Sequence, residues 1–415
     1  MKSFTALMVG LIVVCIPLAA AEVLKFYHDN PEWQQNWEAV AQTSLKDIGI
    51  GLDVTPFDTE VYKTRVKVDL TTSRAPAVFK WWFGYRALEL VDAGLVADLS
   101  DVWDEIGTNF APGVREALTI KGVTYGVPLH VSYWIWYYNK PLFEKYSLKT
   151  PKTWDEFMKQ LEFFKQHGIY GIGNTIGKSR WTSFIVFQEL LYRIDADLYV
   201  KLMNGEAHWT DPKVVQAMEI WKDMLEKGFF APMDATYVED FPRMFKEGKL
   251  AYAPFGDWYG SILQAAGLVS GKDYDVCILP AIAPEGEEAI ILEISPLMAG
   301  RKSPQLKLAK EWLKWWGGSA KAAEIRWELW RFAPNTLISR EKIAQEDPAR
   351  AHEFELVEAY PKKLIRFWEA TPVEIVEYAV DAFNTMLVEP DKYMELLEDI
   401  ENKAAEVWPE YGVKY

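Results

Sequence analysis

Short apolar strands alternate with longer helices along the first part of the chain. The pattern of apolar residues predicts strands at 23–28, 50–54 and 76–79, a helix that ends at Gly49, and a second helix over 60–70. Strands joined by helices of this length usually lie parallel in a sheet that carries helices on both faces. The predicted fold class is therefore α/β, and ligands of such sheets bind beyond the carboxyl ends of the strands.

Length and charge narrow the possible partners. The chain has 415 residues, 50% of them hydrophobic, and a formal net charge of −15. Because one domain usually takes ~100–200 residues, we expect two domains. The negative charge argues against the basic surface that nucleic acid phosphates or anionic lipids require, so we expect neither nucleic acid nor a membrane surface as a partner.

Residues 1–21 have the pattern of a secretory signal peptide. Lys2 supplies the positive start, residues 4–18 are nearly all apolar, and the alanines at 19–21 fit the small-residue cleavage rule. We expect cleavage before Glu22. The protein would then be periplasmic or extracellular.

A lipid anchor and a disulfide are both disfavoured by the cysteines. Cys15 is the residue that a lipoprotein signal would modify, but Val14 stands where such a signal needs a small residue. We therefore expect no lipid anchor. Signal cleavage would leave Cys277 as the single cysteine, so we expect no intramolecular disulfide.

The sequence lacks the residue spacings that common catalytic and cofactor-binding motifs require. The five His residues form no His-Glu-x-x-His pair and no other close metal-ligand spacing. The stretch 173–179 resembles a phosphate-binding loop but has Ile172 where the first glycine belongs. The sequence has no Gly-x-Ser-x-Gly elbow. We expect no catalytic residue, no metal ligand and no cofactor, and hence no enzyme.

Aromatic residues are numerous, and several lie where a strand meets a loop. The chain has 19 Trp, 20 Tyr and 21 Phe. Trp33 follows the first predicted strand, Trp82 follows the third, and Asp257 and Trp258 follow an apolar run at 250–256. An indole ring at such a position can stack on the apolar face of a sugar ring, while nearby polar side chains bind its hydroxyl groups.

Position in predicted loops adds further candidate ligand-binding residues. Asp58, Trp181 and Arg331 join Trp33 for this reason alone. Other tryptophans recur at helical spacing among apolar residues, so we expect them in the hydrophobic core. The expected core tryptophans are Trp221, Trp312, Trp315, Trp316 and Trp408.

Three ordered blocks of sequence carry a family resemblance. They contain PAVF at 76–79 with AGLVADL at 93–99; YGVP at 125–128 with YNKPLFEK at 138–145 and PKTWDEF at 151–157; and FKEGKLA at 245–251 with GDW at 256–258. In these blocks the chain resembles the extracellular solute-binding proteins of the maltose-binding type, the family 1 carbohydrate receptors of ABC transporters.

The resemblance implies a two-lobed periplasmic-binding-protein fold of a type II-like kind. Each lobe would be a mostly parallel sheet flanked by helices, and three chain crossovers would form the hinge. We expect the crossovers near 132–137, 277–281 and 300–303. The first lobe would then comprise 22–133 plus 280–302, and the second lobe 134–279 plus 303–415.

The resemblance also implies a function. A mono- or oligosaccharide would be held between the lobes and delivered to an ABC permease in the membrane, and we expect the receptor to be a monomer. Trp82 and Trp258 match family positions that stack on sugar, and Arg86 matches a polar ligand contact.

Two alternatives stay open at this point. A receptor of the same fold could bind an amine or a metal chelate, because aromatic faces and a negative charge both attract cations. A secreted glycoside hydrolase would share the aromatic cleft but needs two carboxylates about 5–10 Å apart. The 60 Asp and Glu residues leave such a pair possible without nominating one.

Overall fold

The structure is a computed structural model that describes residues 22–111, 113–176, 179–286 and 289–415. The predicted signal peptide, residues 1–21, lies outside the described residues. Gly177 and Lys178 of the stretch that resembles a phosphate-binding loop lie outside them as well.

Strands and helices alternate through the described chain. The strands are β1 (Glu22–His28), β2 (Ile50–Pro56), β3 (Val78–Lys80), β4 (Thr119–Ile120), β5 (Val123–Thr124), β6 (Val127–Asn139), β7 (Tyr170–Ile172), β8 (Leu250–Gly256), β9 (Tyr274–Cys277), β10 (Ala289–Ala299) and β11 (Lys362–Ile365). The strands expected at 23–28, 50–54 and 76–79 correspond to β1, β2 and β3.

The helices surround these strands. They are α1 (Gln34–Ile48), α2 (Thr59–Leu70), α3 (Tyr85–Asp92), α4 (Ser100–Ile106), α5 (Val114–Ala117), α6 (Lys140–Lys145), α7 (Trp154–Gln166), α8 (Phe184–Ile194), α9 (Ala196–Met203), α10 (Pro212–Glu226), α11 (Asp240–Lys246), α12 (Tyr259–Ala265), α13 (Leu306–Gly318), α14 (Ala320–Trp330), α15 (Arg340–Glu346), α16 (Pro348–Glu358), α17 (Phe367–Ala370), α18 (Val373–Val388) and α19 (Tyr393–Val407). Short 3₁₀ turns include Pro31–Trp33 and Arg180–Ser183.

Local sequence accounts for the ends of several helices. Helix α1 ends at Gly49, whose φ of 75° is the left-handed conformation that glycine adopts most easily. Helix α7 begins with a capping box, in which the Thr153 hydroxyl accepts a hydrogen bond from the Glu156 amide. The Glu156 carboxylate in turn accepts one from the Lys152 amide.

The sheet has the order β2-β1-β3-β10-β6-β8-β7, with β11 beside β10 and β9 beside β6. The pairs β1–β2, β1–β3, β7–β8 and β10–β11 are parallel. The long strands β6 and β10 run antiparallel to each other and to β3, β8 and β9. The sheet is therefore mixed where these two strands cross it, and the parallel arrangement expected for each lobe holds for the outer pairs.

Strand β6 passes from one lobe to the other. Its first half, as far as Tyr133, pairs with β10, while Trp134 and the residues after it pair with β8. This change of partner lies inside the crossover expected at 132–137. The lobe before it contains β1, β2 and β3, and the lobe after it contains β7, β8 and β9.

The segment after β10 packs differently from the expected division at residue 303. Helices α13 and α14 pack against α1 and α4 of the first lobe, and the Trp315 indole donates to Asp47 at 2.6 Å. Helix α16 instead packs against β9 of the second lobe. The return to the second lobe thus follows α14, near Arg331, and we revise the expected third crossover at 300–303 accordingly.

Arg331 marks this turn in the backbone. Its φ of 59° is left-handed, which ends α14 abruptly. Gly300 lies instead within the first lobe, where its amide donates to the Ala77 carbonyl oxygen at 3.3 Å. The remaining boundaries of the predicted division stay a prediction.

The tryptophans expected in the core are buried. Trp312 and Trp316 are stacked at 5.5 Å between ring centroids, and Trp37 of α1 lies 5.5 Å from Trp316. Trp221 and Trp408 are fully buried in the second lobe. Within the ranges that the structure describes, no helix combines the length and the apolar character that crossing a membrane would need.

Candidate functional site

A small chamber lies where the two lobes meet. Its volume is about 60 Å³. The side chains that line this inner chamber are Asp29, Asn30, Trp33, Thr59, Lys80, Trp82, His130, Trp181, Tyr237, Trp258, Glu293, Arg366 and Trp368. Five of them are tryptophans, so aromatic faces dominate its walls.

The first lobe contributes an ion pair beside an indole ring. Strands β1 and β3 are parallel neighbours, so their carboxyl ends bring Asp29 and Lys80 together. The Lys80 ammonium lies 2.8 Å from Asp29 Oδ1 and 4.9 Å from the centroid of the Trp82 ring. Both charged side chains are buried, so each depends on the other for compensation of its charge.

An aromatic wall comes from the second lobe. Trp258 follows β8, Trp181 lies in a 3₁₀ turn before α8, and Tyr237 lies in the loop before α11. Their ring centroids are 5.7–6.2 Å apart. Contacts at this range with tilted or edge-on rings are the favoured geometry for aromatic groups, so the three rings support one another.

Glu293 of β10 is the charged centre of the chamber floor. Its Oε2 accepts hydrogen bonds from Trp134 at 3.1 Å, Arg366 at 2.8 Å and Trp258 at 3.4 Å. Its Oε1 lies 3.9 Å from the Nε2 atom of His130. The carboxylate is thereby fixed through one oxygen, and the other oxygen is directed toward His130.

The cation of Arg86 lies behind two chamber tryptophans, Trp82 and Trp368, which we call the tryptophan platform. Trp82 and Trp368 meet edge to face at 6.2 Å. The guanidinium of Arg86 lies 3.8 Å from the centroid of Trp368 and 5.6 Å from that of Trp82. Arg86 also donates to the Trp368 carbonyl oxygen at 3.1 Å. This residue therefore orients two chamber tryptophans without lining the chamber itself.

A wider cavity of about 530 Å³ continues outward from the chamber between the lobes. This outer vestibule shares Asp29, Thr59, Trp181 and Tyr237 with the chamber. Its other lining residues are Pro31, Glu32, Asp58, Glu60, Ser179, Arg180, Thr236, Val238 and Glu239. The vestibule is rich in carboxylates, and a ligand longer than the chamber would extend into it.

The structure brings five of the predicted site residues to these two cavities. Trp33, Trp82, Trp181 and Trp258 line the inner chamber. Asp58 lines the outer vestibule.

The other three predicted residues lie elsewhere. Asp257 is buried behind the chamber, where it pairs with Arg350. Arg86 lies behind the tryptophan platform and pairs with Glu377. Arg331 pairs with Glu346 at 2.9 Å, away from the chamber.

Sequence reasoning missed the charged residues of the chamber and its histidine. Asp29 and Lys80 stand at strand ends, a position that the same rule used for Trp33 could have nominated. His130 and Glu293 lie within strands, and Arg366 directly follows β11. A signal for His130 is that it and Ser132 are polar residues at alternate positions of the mainly apolar strand β6, which places both on one face.

Among the described residues, no group of three His, Cys, Asp or Glu side chains is placed to hold a metal ion. The side chains that line the inner chamber combine aromatic faces with paired charges, which is a composition typical of binding sites. A model of bacterial extracellular solute-binding proteins matches residues 39–352. The chain belongs to the bacterial extracellular solute-binding protein family.

Curated relatives of this solute-binding protein resemble it over part of their length. An uncharacterized ABC transporter extracellular-binding protein of Pyrococcus horikoshii is 28% identical, over 61% of this chain and 60% of its own. The diacetylchitobiose binding protein DasA of Streptomyces coelicolor is 30% identical, over 55% of each chain. The chain thus spans between half and two thirds of the length of these relatives.

Solved structures share the fold over nearly the whole chain. A chitin oligosaccharide binding protein superposes with a TM-score of 0.81 at 20% identity, covering 93% of this chain and 98% of its own. The maltose-bound MalE3 of T. maritima gives 0.78 at 18% identity, covering 93% and 100%. The solute-binding protein described here accordingly has the two-lobed fold.

Proposed function

We propose that this solute-binding protein captures a mono- or oligosaccharide between its lobes and delivers it to an ABC permease. The observation that carries the proposal is the inner chamber, where five tryptophans surround two buried ion pairs. Indole faces suit the C–H faces of sugar rings, and charged groups suit their hydroxyls. The names of relatives that bind diacetylchitobiose or chitin oligosaccharides support the same ligand class.

The size of the chamber supports a closed arrangement of the lobes. At about 60 Å³ it is much smaller than the ~300–1,000 Å³ of typical ligand sites. A sugar would enter only after the lobes separate, and its contacts with both lobes would favour closure again. The vestibule would hold further rings of a longer ligand.

The proposed site of action is outside the cytoplasm, in the periplasm or the extracellular space. Membership of an extracellular family supports this location. The finer expectations belong to the same proposal: export by a signal peptide cleaved before Glu22, no lipid anchor, and a monomeric receptor. Mass spectrometry of the exported protein and sedimentation velocity test them.

A thermal-shift screen tests the proposed ligand class. The probes are maltose, diacetylchitobiose, D-galactose and, as a cation, spermidine. A ligand that binds the folded protein raises its Tm with concentration, and we expect this with at least one sugar. A rise with spermidine alone would replace the sugar receptor by an amine receptor.

The same mixtures test the proposal that the protein is not an enzyme. After a day at 37 °C the bound sugar should be recovered intact by chromatography. Release of shorter sugars, abolished by replacing a chamber carboxylate such as Glu293 by Gln, would favour a glycoside hydrolase.

A further inference from the structure

The two central strands place three polar side chains on one face. In the antiparallel pair of β6 and β10, Ser132 is directly opposite Glu293. Directly opposed residues share a face of the sheet, and so do alternate residues of one strand. His130, Ser132 and Glu293 therefore project from the same side, which is the side of the inner chamber.

Ser132 connects His130 to a buried carboxylate. The Ser132 hydroxyl donates to Asp257 Oδ1 in a short contact, and Nδ1 of His130 lies 2.8 Å from the same hydroxyl oxygen. The other oxygen of Asp257 pairs with Arg350, which also donates to Glu353 at 3.1 Å. All of these side chains are buried.

This chain of contacts selects one tautomer of His130. A serine hydroxyl has a single proton, and the charged oxygen of Asp257 takes it. The contact with His130 can then be a hydrogen bond only if Nδ1 carries a proton and donates it. Burial, together with the charges of Lys80, Arg366 and Arg350, holds the pKa of His130 well below its usual value, so the ring is neutral. Nε2 is left with a lone pair.

Glu293 places a second acceptor next to that nitrogen. Its Oε1 lies 3.9 Å from His130 Nε2, too far for a hydrogen bond. Across the described ranges, neither Nε2 nor Oε1 has a hydrogen-bond partner, whereas Nδ1 of His130 contacts Ser132 and Oε2 of Glu293 accepts three hydrogen bonds. Since both are acceptors, each needs a donor, and no side chain of the described residues donates to either of them in this structure.

We propose that His130 Nε2 and Glu293 Oε1 form a paired acceptor that binds two adjacent hydroxyl groups of a sugar. One hydroxyl has only one proton, so two acceptors require two donors, and neighbouring ring hydroxyls supply them. Ser132 and Asp257 are positioning residues, which act by holding His130 in the accepting tautomer. The inference rests on the proposed sugar-binding function and specifies what that sugar must present.

Histidine NMR tests the positioning residues without any ligand. In protein labelled with ¹⁵N-histidine, the ring nitrogens of His130 should show a neutral, Nδ1-protonated tautomer. Ser132→Ala should abolish this preference, whereas Ser261→Ala, which removes a partly buried hydrogen bond from a hydroxyl to the Trp258 carbonyl oxygen, should leave it unchanged. An Nε2-protonated His130 in the unaltered protein would overturn the proposal.

Deoxy sugars test the paired acceptor itself. The probes are maltose, diacetylchitobiose and their monodeoxy analogues, titrated calorimetrically. We expect removal of one of two adjacent hydroxyls to weaken binding at least tenfold, and only about twofold in His130→Phe or Glu293→Gln. Equal losses in the unaltered protein and both variants would overturn the paired acceptor.

The two measurements separate this inference from the proposed function. If neither maltose nor diacetylchitobiose binds the unaltered protein, the proposed function fails for these sugars and the hydroxyl-binding part of the inference fails with it. The tautomer of His130 then still decides the role of Ser132 and Asp257. Because His130→Phe removes a buried side chain, Ser132→Ala provides a second variant with a smaller change, and its melting curve shows that it folds.

Discussion

The guanidinium of Arg86 in α3 lies 2.8 Å from the carboxylate of Glu377 in α18. The same carboxylate is 2.9 Å from Lys63 of α2 and 3.1 Å from Arg180. Helices α2 and α3 belong to the first lobe, whereas α18 packs on α8 of the second. The pairs of Glu377 with Arg86 and Lys63 therefore join the lobes directly and favour closure before a ligand binds, whereas the pair with Arg180 lies within the second lobe.

Replacing Glu377 by Gln should open the ligand-free protein. The variant loses the interlobe ion pairs, so a larger fraction of the ligand-free protein is open. Part of the binding free energy of the ligand is then used to close the lobes. We expect a larger radius of gyration by small-angle X-ray scattering and an affinity for sugar reduced about threefold or more. Glu374→Gln, on an exposed face of the same helix, is the control. An unchanged radius in Glu377→Gln would contradict an interlobe role.

The contribution of Glu377 should depend on pH. Burial raises its pKa, but the nearby charges of Arg86 and Lys63 outweigh this effect, so the pKa lies below its usual value. A carboxylate with a lowered pKa stabilises the folded state above its ordinary pKa, and this contribution is lost as pH falls through the lowered value. The difference in Tm between the unaltered protein and Glu377→Gln should be constant near neutral pH and should shrink in acid. A difference that grows in acid would refute this assignment.

Trp258→Ala should weaken sugar binding at least tenfold, which corresponds to about 1.4 kcal/mol. The indole forms part of the aromatic wall with Trp181 and Tyr237, so its loss removes both a stacking face and the support of its neighbours. Calorimetric titration measures the effect. Trp154→Ala, at the start of α7 and away from the chamber, should bind normally. Normal affinity in a folded Trp258→Ala protein would remove this residue from the site.

Trp315→Ala should lower the free energy of unfolding by about 3–5 kcal/mol, as for other large core side chains. Trp315 is 6% exposed and its indole donates to Asp47 at 2.6 Å. Urea denaturation measures the change, and sugar affinity should stay the same because the residue is remote from the chamber. An unaltered midpoint would show that this packing adds little stability.

Much of the fold could be predicted from local patterns in the sequence. The strands β1, β2 and β3 follow from their apolar runs, and Gly49 and Thr153 mark helix ends through their own backbone chemistry. The lobe on which α13 packs could not be predicted in the same way. Its apolar stripe predicts burial but does not indicate which lobe it packs against.

The residues of the candidate site also divide into those that local sequence predicts and those that it does not. Trp33, Trp82 and Trp258 could be predicted because each follows closely after a strand, and Trp181 could be predicted from its place in a loop. The pairing of His130 with Glu293 could not be predicted, because the two residues meet only through the pairing of β6 with β10. The sequence around either residue gives no indication of the other. Contacts between residues so far apart in the chain depend on the completed sheet.

Strand β6 runs unbroken from Val127 to Asn139, and its pairing passes from one lobe to the other at Tyr133. His130 and Ser132 precede that point, and Trp134 follows it. Bending at this joint during lobe movement would also shift the side chains that meet the sugar. Ligand specificity and hinge stiffness would then both depend on the same segment of β6. A substitution there that changes one property would change the other, so the two properties would evolve together.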